Sequence, residues 1–194
     1  MSRKKVGVLI SGRGSNMSAL IEASKAPDYP AEIVGVLSNR AAAPGLEIAR
    51  QHGIATASLA QSKFLSREMF EDMMTQILEG WEVDYVCLAG FMRILGEDFV
   101  LRWQGRMVNI HPSLLPLYKG LDTHARVLAA GDAEHGCTVH FVTPGLDEGP
   151  AILQARVPVL PGDTPETLTA RVLVEEHRIY PQALAMLARG EVSL

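Results

Sequence analysis

Apolar runs that alternate with helix-like segments are the feature that most restricts how this chain can fold. Residues 5–11 form a largely apolar run, which is typical of a central parallel strand because such strands are covered on both faces. The run leads directly into Gly12-Arg13-Gly14-Ser15-Asn16, and apolar residues at helical spacing follow as far as Pro27. Further runs of this kind occur at residues 32–38, 83–89 and 107–111. This alternation predicts an α/β fold with a single doubly wound, mostly parallel sheet.

A different strand arrangement is predicted near the C-terminus. Segments 136–142 and 151–159 both have the pattern of strands, but only the short loop 143–150 separates them. Parallel neighbours need a crossover of about a dozen residues or more, so we predict an antiparallel pair at the edge of the sheet. The chain contains no internal repeat and no linker. We therefore expect residues 1–194 to form one domain.

The predicted helix that follows Ser66 contains one candidate functional residue, Arg67. Ser66 is a good N-cap, and apolar residues recur from Met69 through Phe70 and Met73 until Gly80 ends the helix. We expect its methionines to lie in the core. Arg67 places a positive charge in the first turn, where the helix dipole does not favour one, so it is a candidate for a functional role.

Composition excludes several classes of protein. The chain has 194 residues, a net charge of −4 and 47% hydrophobic residues, which is typical of a globular protein and argues against a nucleic-acid-binding surface. Its first apolar run is too short for a signal peptide or a membrane span, so we expect a cytoplasmic protein with no membrane partner. Its two cysteines, Cys87 and Cys137, form neither a disulfide framework nor a metal-binding spacing. We expect both to be buried, inert thiols.

The glycine-containing segment after the first strand is a candidate anion site. A strand, a short loop and a helix in this order place the backbone N–H groups of Gly14, Ser15 and Asn16 at a helix N-terminus, where they can bind phosphate. The segment matches neither the dinucleotide fingerprint nor the Walker A loop. A tight strand-to-helix turn without a ligand is the alternative.

Residues 107–118 carry the second candidate site. Pro112 ends the strand 107–111, because proline has no N–H to give to a sheet. Alternate side chains of a strand share a face, so Asn109 and His111 should point the same way while Ile110 faces the core. An amide and an imidazole aimed at one point suit catalysis, although an ordinary strand end with two polar residues would have the same pattern.

The segment Asn109-Ile110-His111-Pro112-Ser113-Leu114-Leu115-Pro116, with Asp147 further along, resembles the folate-dependent formyltransferase family. The segment 11–16 and the chain length make it most similar to the branch of that family that acts on glycinamide ribonucleotide. The resemblance implies a Rossmann-like formyltransferase fold. It also implies transfer of a formyl group from 10-formyltetrahydrofolate to the amine of glycinamide ribonucleotide in purine biosynthesis, without a metal, by a monomer or homodimer.

The same resemblance implies roles for individual residues. Asn109, His111 and Asp147 would be the catalytic trio. Four residues would bind the phosphate and ribose of the substrate: Gly14, Ser15, Asn16 and Glu176. Nine residues would contact the folate: Arg67, Met92, Arg93, Ile94, Leu95, Asn109, His140, Thr143 and Asp147.

Physical chemistry is consistent with these roles. When an amine attacks the formyl carbon, negative charge collects on the formyl oxygen, and a catalyst needs donors aimed at that oxygen. Asn109 supplies a neutral donor, and the His111 ring is a stronger one if it is protonated. A carboxylate such as Asp147 would orient the ring and favour the imidazolium form.

Three alternatives to this interpretation remain. Ser113, His111 and Asp147 could form a serine hydrolase triad, although the chain has no Gly-x-Ser-x-Gly elbow. Water could replace the amine, which would make the protein a hydrolase of formyltetrahydrofolate. A nucleotide-binding module without catalysis is the third alternative, but Asn39-Arg40 stand where an NAD site would place an acidic residue.

Overall fold

A seven-stranded sheet with strand order β3-β2-β1-β4-β5-β6-β7 runs through the protein. The computed structural model describes residues 2–194; Met1, with which the predicted domain begins, lies outside the described residues. The strands are β1 (Lys4–Ile10), β2 (Ala31–Ser38), β3 (Ala55–Ser58), β4 (Tyr85–Leu88), β5 (Met107–His111), β6 (Glu134–Phe141) and β7 (Ala151–Pro158). The helices are α1 (Ser15–Ser24), α2 (Pro44–Gln51), α3 (Arg67–Gly80), α4 (Glu97–Arg102), α5 (Thr123–Ala130) and α6 (Pro165–Ala188), with a short 3-10 helix at Gln61–Lys63.

The directions of the strands confirm the predicted fold class. The five strands from β3 to β5 in the sheet are parallel, whereas β6 is antiparallel to β5 and β7 is antiparallel to β6. Strand order reverses at β1, which lies between β2 and β4. Ligands of such sheets bind at the carboxyl edge near this reversal. The loops that follow β1, β4 and β5 therefore surround the expected binding region.

Helices cover both faces of the sheet and form two apolar clusters with it. One cluster contains side chains of α1, α2, α5 and α6, and the other contains side chains of α3 and α4. Cys87 and Cys137 are buried and unpaired, as predicted, and burial raises the pKa of each thiol to about 12. Within residues 2–194, no helix combines the length and the apolar character needed to cross a bilayer.

Helix α3 begins as predicted, but the expectation that its methionines lie in the core is correct for Met74 and wrong for Met69 and Met73. The Ser66 hydroxyl accepts a hydrogen bond from the Met69 N–H at 3.2 Å, which is the expected N-cap. Met69 and Met73, however, are 49% and 37% exposed. The buried face instead contains Phe70, Met74 and Leu78. Met69 and Met73 each lie one position before a residue of this buried face. The face that packs against the core is therefore one position out of phase with the predicted one, and both methionines lie outside it.

Strand β3 was not predicted from the sequence. Its four residues, Ala55–Ser58, are small or polar, and Thr56 is the one side chain among them of the branched or aromatic kind that indicates a strand. They pair with β2 at the edge of the sheet, where a short strand with little apolar surface suffices. The pairing, which comes from tertiary structure, defines this strand.

Tyr180 of α6 joins the helix to the two strands that precede the candidate site. Its side chain is fully buried, and its hydroxyl lies 2.9 Å from the Leu88 carbonyl oxygen of β4 and 3.2 Å from the Val108 carbonyl oxygen of β5. Both carbonyls come immediately before residues at the carboxyl edge of the sheet. The hydroxyl therefore links helix packing to the positions of Ala89 and Asn109.

We expect Tyr180→Phe to lower the free energy of unfolding by about 1–3 kcal/mol, because it leaves buried carbonyls without their donor. Urea unfolding followed by circular dichroism would measure the change. Tyr29→Phe is the comparison, since that partly buried hydroxyl donates to a single carbonyl, that of Pro181. A loss for Tyr180→Phe no larger than that for Tyr29→Phe would contradict the linking role.

Candidate active site

The end of β5 brings the predicted catalytic side chains together. The strand covers Met107–His111 as predicted, and Ile110 is 7% exposed within the core. Asn109 and His111 instead meet a polar group that contains His140 of β6 and Asp147. Asp147 lies in the loop between β6 and β7, so three separate segments of the chain build the site.

Both ring nitrogens of His111 have partners. Nε2 lies 3.0 Å from the Tyr118 carbonyl oxygen, which can only accept, so Nε2 carries a proton and donates it. Nδ1 lies 3.4 Å from the Asp147 carboxylate. The same carboxylate accepts a hydrogen bond from the Gly120 N–H at 2.9 Å. The ring is therefore fixed in orientation, with one nitrogen facing a carboxylate that stabilises a positive charge.

His140 orients the amide of Asn109. These two residues are directly opposite each other in the β5–β6 pair, with Asn109 Nδ2 at 3.2 Å from His140 Nε2. His140 Nδ1 donates to the Phe141 carbonyl oxygen at 2.8 Å, and burial lowers the pKa of His140. The neutral ring thus accepts at Nε2 from one Asn109 N–H. The second N–H of that amide remains for a substrate.

A cavity of about 160 Å³ lies beside this polar group. Its wall includes the loop after β4, residues 91–95, which we call the cavity loop, and the loop between β6 and β7. Its lining residues are Leu88, Phe91, Arg93, Ile94, Leu95, Val100, Asn109, His140, Val142, Thr143, Pro144, Gly145, Leu146 and Asp147. The mixture of apolar walls with a few polar groups is typical of a small-molecule site.

Seven of the nine residues assigned to the folate from the resemblance line this cavity. They are Arg93, Ile94, Leu95, Asn109, His140, Thr143 and Asp147. Met92 and Arg67 do not line it. The Met92 side chain is 62% exposed and its N–H donates to the Ser11 hydroxyl at 2.7 Å, while the Arg67 guanidinium lies 3.9 Å from the Glu71 carboxylate at the start of α3.

The loop that carries Asp147 depends on an unusual backbone. Asp147 has a φ of 51°, a left-handed conformation that residues with a side chain rarely adopt. Gly149 lets the loop lie directly on β6, because a Cβ there would come within 1.7 Å of the Phe141 carbonyl oxygen. Close packing against the strand therefore directs the Asp147 carboxylate toward His111.

Sequence reasoning missed the residues that hold His111 and Asp147 through the backbone. These contacts use the Tyr118 carbonyl and the Gly120 N–H, so their side chains give no signal. The proline-rich and glycine-containing segment after Pro112 predicts a shaped loop, but its partners are set by tertiary structure.

The predicted phosphate-binding residues form the start of α1. Gly14 is the N-cap with a φ of 72°, a conformation that glycine adopts without strain. Ser15 and Asn16 begin the helix, so their N–H groups have no partner within it. The Asn16 amide donates to the Glu176 carboxylate at 2.7 Å. The structure thus brings together residues that are 160 positions apart.

Ser113 does not have the geometry of a nucleophile. Its side chain is fully buried, and its hydroxyl donates to the Leu117 carbonyl oxygen at 2.6 Å. The His111 ring uses its nitrogens on Tyr118 and Asp147. The serine therefore stabilises its own loop, and the triad alternative has no structural support. Over residues 2–194, no group of three or more His, Cys, Asp or Glu side chains is arranged to hold a metal ion.

Comparison with known proteins gives the class to which this fold and site belong. Residues 4–184 match the family described as formyl transferase. The chain belongs to the formyl transferase family, which confirms the resemblance seen in the sequence.

Individual relatives show which members of that family are similar to this chain over nearly its whole length. The chain is 51% identical to the phosphoribosylglycinamide formyltransferase of Escherichia coli (strain K12), over 96% of this chain and 88% of the relative. It superposes on a crystal structure of phosphoribosylglycinamide formyltransferase from Brucella melitensis with a TM-score of 0.93 and 53% identity, covering 96% of both chains. It is also 51% identical to the trifunctional purine biosynthetic protein adenosine-3 of Drosophila pseudoobscura pseudoobscura, over 97% of this chain. The chain spans only 14% of the length of that trifunctional relative.

We expect Glu176 to make stability depend on pH. Burial raises the pKa of its carboxyl group above the ordinary value, so the folded protein holds the proton to a higher pH than the unfolded chain. The stability that this group contributes is complete below its unfolded pKa and is lost as pH rises through the folded pKa. The glutamine in Glu176→Gln can still accept from Asn16 but does not titrate. As pH rises from the unfolded to the folded pKa of Glu176, the free energy of unfolding of Glu176→Gln should therefore fall less than that of the wild type.

Urea unfolding at several pH values between about 4 and 8 would measure this difference. Glu191→Gln is the control, because it removes an exposed carboxylate near the C-terminus and should leave the pH profile unchanged. Identical profiles for wild type and Glu176→Gln would show that burial of this carboxyl group does not shift its titration.

Proposed function

We propose that this protein transfers a formyl group from 10-formyltetrahydrofolate to the amine of glycinamide ribonucleotide. The products are formylglycinamide ribonucleotide and tetrahydrofolate, in de novo purine biosynthesis. The observation that carries the proposal is the convergence of Asn109, His111 and Asp147 beside a cavity. High identity to phosphoribosylglycinamide formyltransferases over nearly the whole chain supports it.

The proposed reaction begins with attack of the substrate amine on the formyl carbon. As this carbon becomes tetrahedral, negative charge develops on the formyl oxygen. The Asn109 N–H that is not engaged by His140 donates to this oxygen. His111, as an imidazolium beside Asp147, supplies positive charge next to it.

Collapse of the tetrahedral intermediate breaks the bond between the formyl carbon and N10 of the folate. The attacking amine loses one proton and N10 gains one, so protons balance without a covalent enzyme intermediate. Asp147 lines the cavity, so it lies close to the path of this proton as well as to the His111 ring. Its main role in the proposal is to orient His111 and to stabilise its charged form.

The two substrates occupy neighbouring parts of the carboxyl edge of the sheet in this proposal. The phosphate of the ribonucleotide binds the N–H groups of Gly14, Ser15 and Asn16, since a helix N-terminus favours an anion. Glu176, held by Asn16, accepts hydrogen bonds from the ribose. The reaction uses no metal ion.

The folate lies in the cavity in this proposal, between the cavity loop and the loop that carries Asp147. The residues assigned to it are Arg93, Ile94, Leu95, Asn109, His140, Thr143 and Asp147, with the backbone of Met92. Arg67 lies outside the cavity with a half-exposed guanidinium, a suitable place for a carboxylate at the tail of the ligand. We place the enzyme in the cytoplasm as a monomer or homodimer that binds neither nucleic acid nor membranes.

The first test mixes the purified protein with 10-formyl-5,8-dideazafolate and follows deformylation by absorbance, with and without glycinamide ribonucleotide. We expect deformylation only when the ribonucleotide is present. Deformylation without it would favour the hydrolase, in which water replaces the amine. If neither condition gives deformylation and the protein binds NAD, the nucleotide-binding alternative would replace the proposal.

We expect Asn109→Ala to lower kcat about 10²- to 10³-fold, because it removes a donor to the developing oxyanion. His111→Ala and Asp147→Asn should each cause a loss of comparable size. Steady-state kinetics on variants with wild-type circular dichroism would measure these effects. Ser113→Ala is the control, with kcat expected to stay within about threefold of the wild type, since the Ser113 hydroxyl donates to the Leu117 carbonyl oxygen and not to a side chain of the trio.

Turnover of Asn109→Ala close to that of the wild type would exclude the proposed oxyanion donor. A large loss of kcat in folded Ser113→Ala would instead return the serine nucleophile to consideration.

A further inference from the structure

Ser11 lies three residues before Gly14 of the proposed phosphate site, yet its side chain contacts the loop on the other side of the candidate active site. Its hydroxyl accepts a hydrogen bond from the Met92 N–H at 2.7 Å and donates one to Asn39 Oδ1 at 2.6 Å. Ser11 is 4% exposed, so water does not replace these bonds. The Ser11 N–H also donates to the Gly90 carbonyl oxygen at 3.2 Å. Ser11 thus fixes the backbone at the entry to the cavity loop.

A second buried side chain holds the exit of the cavity loop. The Gly96 N–H donates to the Glu71 carboxylate at 2.7 Å, and Glu71 is 6% exposed. Between these two anchors Phe91 and Leu95 pack against the apolar cluster of α3 and α4, whereas Met92 and Ile94 are 62% and 76% exposed. The exposed middle of the loop therefore depends on the hydrogen bonds at its ends as well as on this packing.

We infer that Ser11 is a positioning residue for the ligand of the cavity. Its hydroxyl fixes the backbone of Met92 and, through it, the three following residues that line the cavity wall, Arg93, Ile94 and Leu95. Ser11 also begins the segment 11–16 that leads into the proposed phosphate site, so it connects that segment to the cavity loop. The inference rests on the proposed function in taking this ligand to be a folate.

Loss of the hydroxyl would affect binding through preorganisation of the loop. Without it, the Met92 N–H has no acceptor in its present position, and an unsatisfied buried donor is unfavourable. The loop can restore the hydrogen bond by moving toward water. A ligand that needs the present loop conformation must then reorder the loop on binding, which weakens its affinity.

The test compares Ser11→Ala with the matched control Ser38→Ala. Ser38 is fully buried at the end of the neighbouring strand β2, and its hydroxyl accepts from the Arg40 N–H at 3.0 Å. Both variants thus remove a buried hydroxyl that accepts from a backbone N–H at the same edge of the sheet. Only the Ser11 hydroxyl contacts the cavity loop.

Two measurements are made on each variant. Hydrogen–deuterium exchange on the protein without ligand reports on the Met92 amide, which donates to Ser11, independently of what the cavity binds. Titration with 5,10-dideazatetrahydrofolate, together with steady-state kinetics, reports on affinity and turnover.

For Ser11→Ala we expect exchange of the Met92 amide to become about tenfold faster, because its acceptor is removed. The Kd of the dideaza analogue and the KM of the formyl donor should rise by a similar factor, since binding must reorder the loop. We expect kcat and the KM of the ribonucleotide to change less than about threefold, because the trio and the N–H groups of residues 14–16 are untouched. Ser38→Ala should show none of these changes.

Equal exchange of the Met92 amide in wild type and Ser11→Ala would overturn the inference, as would an unchanged Kd despite faster exchange. A fall in kcat with an unchanged KM of the formyl donor would overturn it too. If the wild type itself bound no folate analogue, the proposed function would fail, while the exchange comparison would still decide whether Ser11 positions the loop.

Discussion

The antiparallel pairing of β5 with β6 is the constraint on which the candidate site depends. The five strands from β3 to β5 in the sheet are parallel to one another, and such strands are usually covered on both faces by apolar side chains. The reversal at β6 places His140 directly opposite Asn109. These two polar residues therefore form a cross-strand pair near the end of β5, where Pro112 ends the hydrogen bonding between strands.

Once polar side chains are buried at this edge, each of them requires a partner. His111 and His140 are 6% and 2% exposed, and each uses both ring nitrogens within 3.5 Å of another polar atom. The site is thus held by hydrogen bonds from two loops and a strand. Asp147, with its left-handed backbone, takes part in these contacts, since its carboxylate accepts from the Gly120 N–H and faces His111.

The reversal of strand order at β1 has a second consequence. It places the start of α1 and the cavity loop on adjacent strand ends, so the two proposed binding regions lie side by side. Ser11 lies between them and contacts the cavity loop through its hydroxyl. Two ligands can therefore approach each other at the end of β5, as transfer of a group between them requires.

The sequence by itself determined the class of fold, because continuous apolar runs and helical spacing are local patterns that report which faces are buried. It determined the ends of β5, the N-cap at Ser66 and the antiparallel edge, and the motif around Asn109 and His111 was sufficient to recognise the family. It did not determine β3, whose small residues carry no pattern, or the phase of α3, in which Met69 and Met73 are exposed.

Only the tertiary structure decided how the candidate site is assembled. It decided that the Tyr118 carbonyl holds His111 and that the Gly120 N–H holds Asp147. It also decided that the Asn16 amide contacts Glu176 and that the Met92 N–H donates to the Ser11 hydroxyl. These contacts join residues far apart in the chain or use backbone groups that every residue has. Side-chain identity and local spacing report burial and capping, whereas distances between separate segments are set by how the whole chain packs.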